Sequence, residues 1–495
     1  MSENGESAGP TARIMRPMTL DPDHCYHAVT THDPRFDGRF FVGVTSTHIY
    51  CRPVCTVRTP KRQNCRFFPS AAAAEVAGFR PCLRCRPELA PGYASIDSGA
   101  RLAQAAVRLI EDGVLEAGGI EGLAARIGVT SRHLRRLFES EFGVSPIEYA
   151  QTQRLLLAKH LLTDTTLPVT DVALTSGFAS VRRFNALMKA RYRMSPTRLR
   201  RTGSPETLPA TLDFELAYRP PYDFDGMLAF LRARAIEGIE VVTAQAYRRT
   251  LAIEQDGATH VGWIEIRRVR RKPALALSIS ASLARVAPPI LARARHAFDL
   301  ACDPAEIAER LGGLVADRSG LRVPGTFDGF ELGVRAVVGQ QVSVAGARTL
   351  LGRLIRSMGE ALETEVAPGL THRFPSATTL AAASEAQLRT VGLTSARART
   401  VIALARAVAH GDIELKPGVD VERTQDALLA VPGIGEWTAQ YIAMRALGWP
   451  DAFLANDRIV QKSLGETRTS RVLERSEAWR PWRAYAVMHL WRQAA

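Results

Sequence analysis

Two close pairs of cysteines carry the first chemistry legible in the chain. Cys51 and Cys55 flank Arg52-Pro53-Val54, and Cys82 and Cys85 flank Leu83-Arg84, with twenty-six residues between the pairs. A loop can bring such pairs together as four thiolates around one tetrahedral ion, and Zn²⁺ is the natural occupant of a closed four-sulfur site in a reducing cell. The other reading is four buried cysteines without an ion. A second constellation stands near the far end. Val431-Pro432-Gly433-Ile434-Gly435 is a tight turn, and after it Trp437, Tyr441 and Met444 recur at helical spacing. Such a turn bares backbone N–H groups where a helix begins, and the peptide dipole there also favours an anion. A DNA phosphate is the expected guest. Asp457, twenty residues after Trp437, is then placed to face the sugar beside the anchored phosphate.

Composition limits who the partners are. The chain has 495 residues, room for three or four domains, and a formal net charge of +14, which favours a polyanion. No long uncharged apolar run exists to span a membrane. The first twenty residues lack an apolar signal core and read as a disordered leader, and the protein as intracellular. Six of the seven cysteines precede residue 86, which argues for a metal centre and against a disulfide framework. Cys25 and Cys65 fall outside the ligand pattern and read as small apolar residues.

The elements that must position these groups divide the chain. Residues 21–90 form the cysteine-bearing zinc domain. Residues 99–200 contain an internal repeat: Leu123-Ala124, Gly128 to Ser131, Phe138 and Ser145-Pro146 are echoed by Val172-Ala173, Gly177 to Ser180, Leu187 and Ser195-Pro196. Each copy reads as a short helix, a glycine turn and a second helix, capped by Ser131 or Ser180. Leu134, Leu137 and Phe138 in one copy, and Val181, Phe184 and Leu187 in the other, form the inward stripe. The outward stripes carry Arg132, His133, Arg135 and Arg136, then Arg182, Arg183 and Lys189. A basic helix face is usually just solvated, but two tandem copies point to DNA reading. Residues 201–211 are a polar linker. Residues 212–320 alternate as strands (Val241 to Ala246, Thr250 to Ile253, Ala274 to Ile279) around a helix from Gly226 to Arg234. Residues 321–495 are short helices broken by Gly and Pro. The fold class is therefore multidomain α+β, predominantly α: a small zinc domain, two tandem helix-turn-helix motifs, a small α+β domain and a compact all-α domain.

Three resemblances sharpen this. Phe36-Asp37-Gly38-Arg39-Phe40, Gly43 to Thr47, Ile49 to Pro53 and Gly78 to Cys82 resemble the amino-terminal domain of Ada-type methylation-response proteins. That resemblance implies that Cys51 accepts a methyl group from a DNA methylphosphotriester and holds one zinc with Cys55, Cys82 and Cys85. Zinc keeps sulfur deprotonated and nucleophilic at neutral pH. Methylating one of four thiolates changes the formal charge of the centre from −2 to −1, an electrostatic switch that raises DNA affinity. A purely structural zinc site is the alternative. The repeat resembles the AraC-type regulatory domain, which implies second helices in successive major grooves of promoter DNA and a transcriptional activator that meets RNA polymerase.

From about residue 212 onward the chain resembles the AlkA-type DNA-3-methyladenine glycosylases of the helix–hairpin–helix superfamily. Pro220 to Asp223, Gly333 to Gln340, Val431 to Gly435 and Trp479 to Tyr485 carry the match. The resemblance implies excision of an alkylated base from double-stranded DNA, with Asp457 stabilising the positive charge that develops on the sugar. It implies an aromatic base pocket of Trp437, Tyr441, Trp491 and Phe230, and a DNA grip through Gly433, Ile434 and Gly435. Gln341 stands where better-known members carry an apolar wedge, and Asn456-Asp457-Arg458 replaces an acid-acid-aromatic triplet. Trp437 occupies the place of the lysine that strand-cutting relatives use, so lyase chemistry is not expected. The carboxy-terminal region has no cysteines for an iron–sulfur cluster. No Pro-Cys-His-Arg stretch marks a guanine alkyl acceptor, and Cys302 reads as structural. Together these imply a cytoplasmic, nucleoid-associated bacterial protein without membrane contact. Two rivals remain: a zinc-dependent regulator whose glycosylase-like half only binds DNA, and a glycosylase with a zinc-stapled DNA clamp at its front.

Overall fold

The computed structural model describes residues 20–91, 98–111, 114–165, 167–200, 211–255, 257–315, 319–362 and 367–493. Of the expected leader only Leu20 is described. Of the expected linker only Thr211 is described, and it opens a strand.

The cysteine-bearing module begins with α1 (Pro22–Thr30), capped by the Asp21 carboxylate, which accepts from the N–H groups of Asp23 and His24. Strands β1 (Phe41–Val44), β2 (Ile49–Cys51), β3 (Cys65–Phe68) and β4 (Arg80–Pro81) form a sheet in the order β3-β1-β2-β4, and α2 (Ala71–Val76) follows β3. Val42 pairs with Cys51, so one ligand pair starts at the very end of β2. The other follows β4, where the Cys82 N–H donates to the Tyr50 carbonyl at 3.0 Å. Neighbouring strand ends thus deliver both pairs to one place.

Next come α3 (Ser98–Glu111), α4 (Val114–Arg126), α5 (Ser131–Phe142), the long α6 (Pro146–Asp164), α7 (Val169–Thr175), α8 (Val181–Tyr192) and α9 (Pro196–Leu199). The expected cap of α5 is corrected. Thr130, the last residue with extended backbone, accepts from the His133 N–H at 3.2 Å, while Ser131 is already helical. Ser180 caps α8 as anticipated. Leu134, Leu137 and Phe138 are buried. In α8 the buried stripe is Phe184, Met188 and Tyr192, with Val181 and Leu187 only half-buried. Steps of four carry that stripe to the far end of the helix, where the core continues.

The next unit is a five-stranded antiparallel sheet, β5 (Thr211–Ala217), β6 (Glu240–Val242), β7 (Ala246–Gln255), β8 (Ala258–Arg268) and β9 (Ala274–Ser280), ordered β5-β9-β8-β7-β6. Helices α10 (Phe224–Arg234) and α11 (Ala287–Ala297) share its core, while α12 (Pro304–Leu311) places Ile307 and Leu311 in the core of the unit that follows. The expected strand from Val241 to Ala246 is broken: Thr243 turns the chain, accepting at Oγ1 from the Ala246 N–H at 3.0 Å. Strand β8 was not anticipated, because its polar side chains mask the alternation. Apolar residues of α6 to α9, such as Leu161 and Phe184, share one continuous core with Phe214, Leu277 and Ile264 of this sheet.

The last unit is helical: α13 (Gly329–Val338), α14 (Val344–Met358), α15 (Ala377–Ala381), α16 (Glu385–Thr390), α17 (Ser395–Ala409), α18 (Val421–Leu429), α19 (Glu436–Arg445), α20 (Arg458–Leu464), α21 (Thr469–Ser476) and α22 (Arg483–Gln493), with a small hairpin of β10 (Glu360–Ala361) and β11 (His372–Arg373). Its core includes Val334, Leu404, Ile442 and Val487. Among the described residues no helix is long and apolar enough to cross a membrane.

Candidate functional site

The four expected ligands converge. The sulfurs of Cys51, Cys55, Cys82 and Cys85 all lie within 4.8 Å of one another. Tetrahedral zinc with bonds near 2.3 Å separates its sulfurs by about 3.8 Å, so the donor set fits that ion without a large movement. The surrounding chain is built to hold it. The Arg52 N–H points to the Cys85 sulfur at 3.4 Å, and the Arg84 N–H to that of Cys82 at 3.4 Å. The Arg52 guanidinium pairs with buried Asp37 and donates to the Cys85 carbonyl at 3.2 Å. Cys51, Cys55 and Cys82 are buried, and Cys85 is the most open of the four. Cys25 and Cys65 lie in the adjoining apolar core, where burial pushes the Cys25 thiol up to about 11. Cys302 is likewise buried, its thiol pushed up to about 12, which fits a structural role.

On the two repeat units, Arg132, His133, Arg135 and Arg136 of α5 and Arg182, Arg183 and Lys189 of α8 are all exposed. Each set lies opposite the buried stripe of its own helix. Two exposed basic helix faces result, of the kind that can meet phosphate and base edges.

The hairpin between α18 and α19 is tight for a local reason. Gly433 has φ +90°, and a Cβ there would stand 2.0 Å from the Thr400 hydroxyl of α17. Gly433 and Gly435 are exposed, and neither N–H donates to a backbone acceptor among the described residues. Ile434 differs from the expectation. Its side chain is buried and its N–H donates to the Val431 carbonyl at 3.1 Å, so it anchors the turn rather than offering its amide. Gln340, which sequence reading left without a role, donates through its amide to the Gly433 carbonyl at 3.0 Å and the Thr438 hydroxyl at 2.9 Å. It ties the α13–α14 turn to the hairpin. Gln341 follows it, exposed, with φ +54°.

Asp457 is buried and caps α20. Its Oδ1 accepts from the N–H groups of Ile459 at 2.9 Å and Val460 at 3.0 Å, and from Trp491 Nε1 at 3.1 Å, while Oδ2 accepts from Trp437 Nε1 at 2.9 Å. Among the described residues four N–H groups donate to it, an arrangement that suits an acceptor-only carboxylate. Trp437 and Tyr441 stack with centroids 5.1 Å apart and planes 9° apart; Trp491 lies 6.4 Å from Tyr441. All three rings, and Phe230 of α10, are only half-buried. Two arginines also enter this site. Arg445 lies 5.0 Å from the Phe230 ring centre and 5.4 Å from that of Tyr441, and Arg234 lies 3.7 Å from that of Phe230. Arg445 follows Trp437 and Tyr441 at steps of four, a periodicity by which it could have been found. Asn456 is exposed and accepts from the Thr469 hydroxyl at 2.6 Å, and Arg458 is exposed at the first position of α20.

Four family models match successive parts of the chain. The metal binding domain of Ada matches residues 24–88, a helix-turn-helix domain 123–202, the AlkA N-terminal domain 213–328, and the HhH-GPD superfamily base excision DNA repair protein model 334–483. A Mycobacterium tuberculosis protein described as "Probable bifunctional transcriptional activator/DNA repair enzyme AlkA" is 40% identical over 486 residues, covering 95% of this chain and 96% of the relative. DNA-3-methyladenine glycosylase 2 of Escherichia coli is 38% identical over 278 residues, covering 56% of this chain and 96% of its own. The bifunctional transcriptional activator/DNA repair enzyme AdaA of Bacillus subtilis is 30% identical over 205 residues, 41% of this chain and 94% of its own.

Proposed function

This chain belongs to the family of bifunctional transcriptional activator/DNA repair enzymes, and on that premise we propose that it reads methyl damage through Cys51 and excises alkylated bases at Asp457. The observation that carries the second role is the Asp457 carboxylate, held by two indole N–H groups beside a half-open aromatic site.

Base release begins with the damaged nucleotide out of the stack. The outward amides of Gly433 and Gly435 hold the backbone, and Gln341 enters the gap left behind, where its amide can bond the orphaned partner base. As the bond between sugar and base breaks, positive charge grows on the sugar, and Asp457 stabilises it electrostatically. The same carboxylate orients the attacking water. Trp437 has no amine, so the N-glycosidic bond is hydrolysed without a Schiff base and the strand stays intact. Trp437 and Trp491 offer their faces to the extruded base, with Tyr441 and Phe230 closing the site.

At the other end Cys51, Cys55, Cys82 and Cys85 hold zinc, which when bound keeps the thiolates ionised at neutral pH. The Cys51 sulfur attacks the methyl carbon of a methylphosphotriester; the S–C bond forms, the C–O bond breaks, and an ordinary phosphodiester leaves with the electron pair. The centre's formal charge falls from −2 to −1, and repulsion of DNA falls with it. The basic faces of α5 and α8 then hold promoter DNA, and the activator meets RNA polymerase there.

Duplex DNA with one methylated adenine tests the catalytic half. The protein should liberate the free base, and Asp457→Asn should bind the duplex without liberating it. Full activity of that variant would sink the assignment of Asp457, and binding without base release by the unmodified protein would leave a DNA-binding module in its place.

A further inference from the structure

Trp437, Tyr441 and Arg445 stand at steps of four on α19, one face of one helix. Eight residues span about 12 Å along the helix axis. The face is electrically lopsided. At its first turn Trp437 bonds the Asp457 carboxylate. At its last residue the Arg445 guanidinium donates to the Tyr441 hydroxyl oxygen at 2.5 Å. Arg445 is fixed there: its Nε donates to the Pro324 carbonyl at 2.7 Å and its Nη2 to the Gly325 carbonyl at 3.1 Å, and the side chain is buried. Arg234 reaches in from α10 against the Phe230 ring, where its Nη1 donates to the Phe230 carbonyl at 3.3 Å, and its charge acts on the Tyr441 phenol.

Two consequences follow. Phe230 and Tyr441 already have guanidinium ions close to their rings, so they offer a cationic base less than the sequence promised. Moreover, the Tyr441 oxygen accepts from the Arg445 guanidinium, which leaves its own hydrogen for another acceptor. Burial opposes ionisation of this phenol, yet the charges of Arg445, Arg234 and Arg335 outweigh it and hold the group below its ordinary range. A polarised O–H is a strong donor.

We propose that Tyr441, polarised by Arg445 and Arg234, is the hydrogen-bond donor to the departing base, and that release of neutral damaged bases depends on this donor far more than release of cationic ones. This rests on the reading of Asp457 and its aromatic neighbours as the glycosylase site. When the glycosidic bond breaks, its electron pair goes to the base nitrogen. A cationic base leaves neutral and needs no help. A neutral base leaves with negative charge, which the Tyr441 O–H stabilises, and then takes up the proton that the attacking water releases. Asp457 serves the sugar at one end of the α19 face, and the tyrosine–arginine group serves the base at the other. Arg445 and Arg234 are positioning residues in this scheme; the hydroxyl makes the contact.

The test is a single-turnover comparison on duplexes with one N7-methylguanine, a cationic probe, or one hypoxanthine, a neutral one, with the full zinc-loaded chain. Tyr441→Phe keeps the ring and removes the donor. The ratio of neutral to cationic release should fall at least tenfold in this variant, and in Arg445→Met, with partial recovery in Arg445→Lys. In the unmodified protein neutral-base release should decline at alkaline pH as the phenol loses its proton, and Tyr441→Phe should lack that limb. Equal loss on both probes, or hypoxanthine left untouched by the unmodified protein while N7-methylguanine is released, would overturn the proposal. Failure to release either base would overturn the glycosylase reading itself.

Discussion

Trp437 Nε1 donates to Oδ2 of Asp457 across 2.9 Å. An indole at the first turn of α19 is therefore bonded to the acid on which base release is proposed to depend. Trp491, from the last helix, donates to the other oxygen at 3.1 Å. The carboxylate is fixed by groups from three separate helices, α19, α20 and α22, and its orientation is set before any DNA arrives. Preorganisation of this kind lets an electrostatic group act without reorganising as charge develops.

Asp457→Asn is a clean probe because asparagine caps helices about as well as aspartate. Folding and DNA affinity should persist, while single-turnover base release falls on the order of 10²–10³-fold, the scale of losing one preorganised electrostatic group. Quantifying free base after stopped reactions, beside a binding titration, separates the two effects.

Removing one indole donor should cost less than removing the acid. Trp491→Phe keeps an aromatic face and deletes one N–H bond to a carboxylate, an interaction worth about 1.5–3 kcal/mol. Release rates should drop roughly ten- to hundredfold, with circular dichroism and melting temperature near those of the parent. Sodium borohydride added during turnover should trap no covalent protein–DNA complex with either protein, because no amine stands at position 437.

Gly433→Ala strains the hairpin twice, through its left-handed φ of +90° and through the 2.0 Å approach to the Thr400 hydroxyl. Conformational strain of this type costs about 1–3 kcal/mol. DNA affinity should weaken, since the amides of the turn move, and the salt dependence of binding should flatten by about one phosphate contact. Trimming the neighbour as well, in Gly433→Ala with Thr400→Ala, should recover part of the loss.

Methylphosphotriester DNA should add one methyl mass to the peptide containing Cys51. Cys85 is the more open sulfur, so digestion and mass spectrometry must separate the two peptides. Labelling of Cys85 alone would move the acceptor role there. Chelation of zinc should abolish methylation while leaving base release in place.

Glu75 joins the cysteine-bearing module to α6: its carboxylate accepts from the Tyr50 hydroxyl at 3.0 Å and the Thr152 hydroxyl at 3.2 Å. Burial pushes this acid up to about 7, opposed in part by those two hydroxyls, the Arg191 charge and the Tyr192 hydroxyl. The ordinary value of 4.5 holds in the unfolded chain. The native state therefore keeps a proton between about 4.5 and about 7 that the unfolded chain loses, and stability falls as pH rises through that window. Glu75→Gln cannot ionise. Its melting temperature relative to the parent should rise from pH 5 to pH 8, and a constant difference would contradict the assignment.

Much of the site was legible because its signals are local. Four cysteines in two short pairs, a Pro-Gly-Ile-Gly turn ahead of a helix, and arginines at helical steps each express a constraint within a few residues. The cap of α5 was misplaced by one residue because Thr130 and Ser131 are both good caps and only the backbone at Thr130 decides between them. Gln340 stayed unassigned, since its partners Gly433 and Thr438 lie more than ninety positions away. Strand β8 was hidden by exposed polar residues, and its hydrogen bonds to β7 and β9 are what define it.

The sequence alone determined the order of modules, the zinc ligands, the two basic helices and the acid, because each depends on residue type and short-range periodicity. Only tertiary structure decided how Asp457 is held and what surrounds the aromatic rings. Trp437 and Trp491 come from helices far apart in the chain, and Arg234 arrives from the sheet-bearing unit, yet all converge within a few ångströms. Hydrogen bonds and guanidinium–ring contacts act over such distances in space, whatever the separation along the chain, so their effect on the site appears only when the chain is folded.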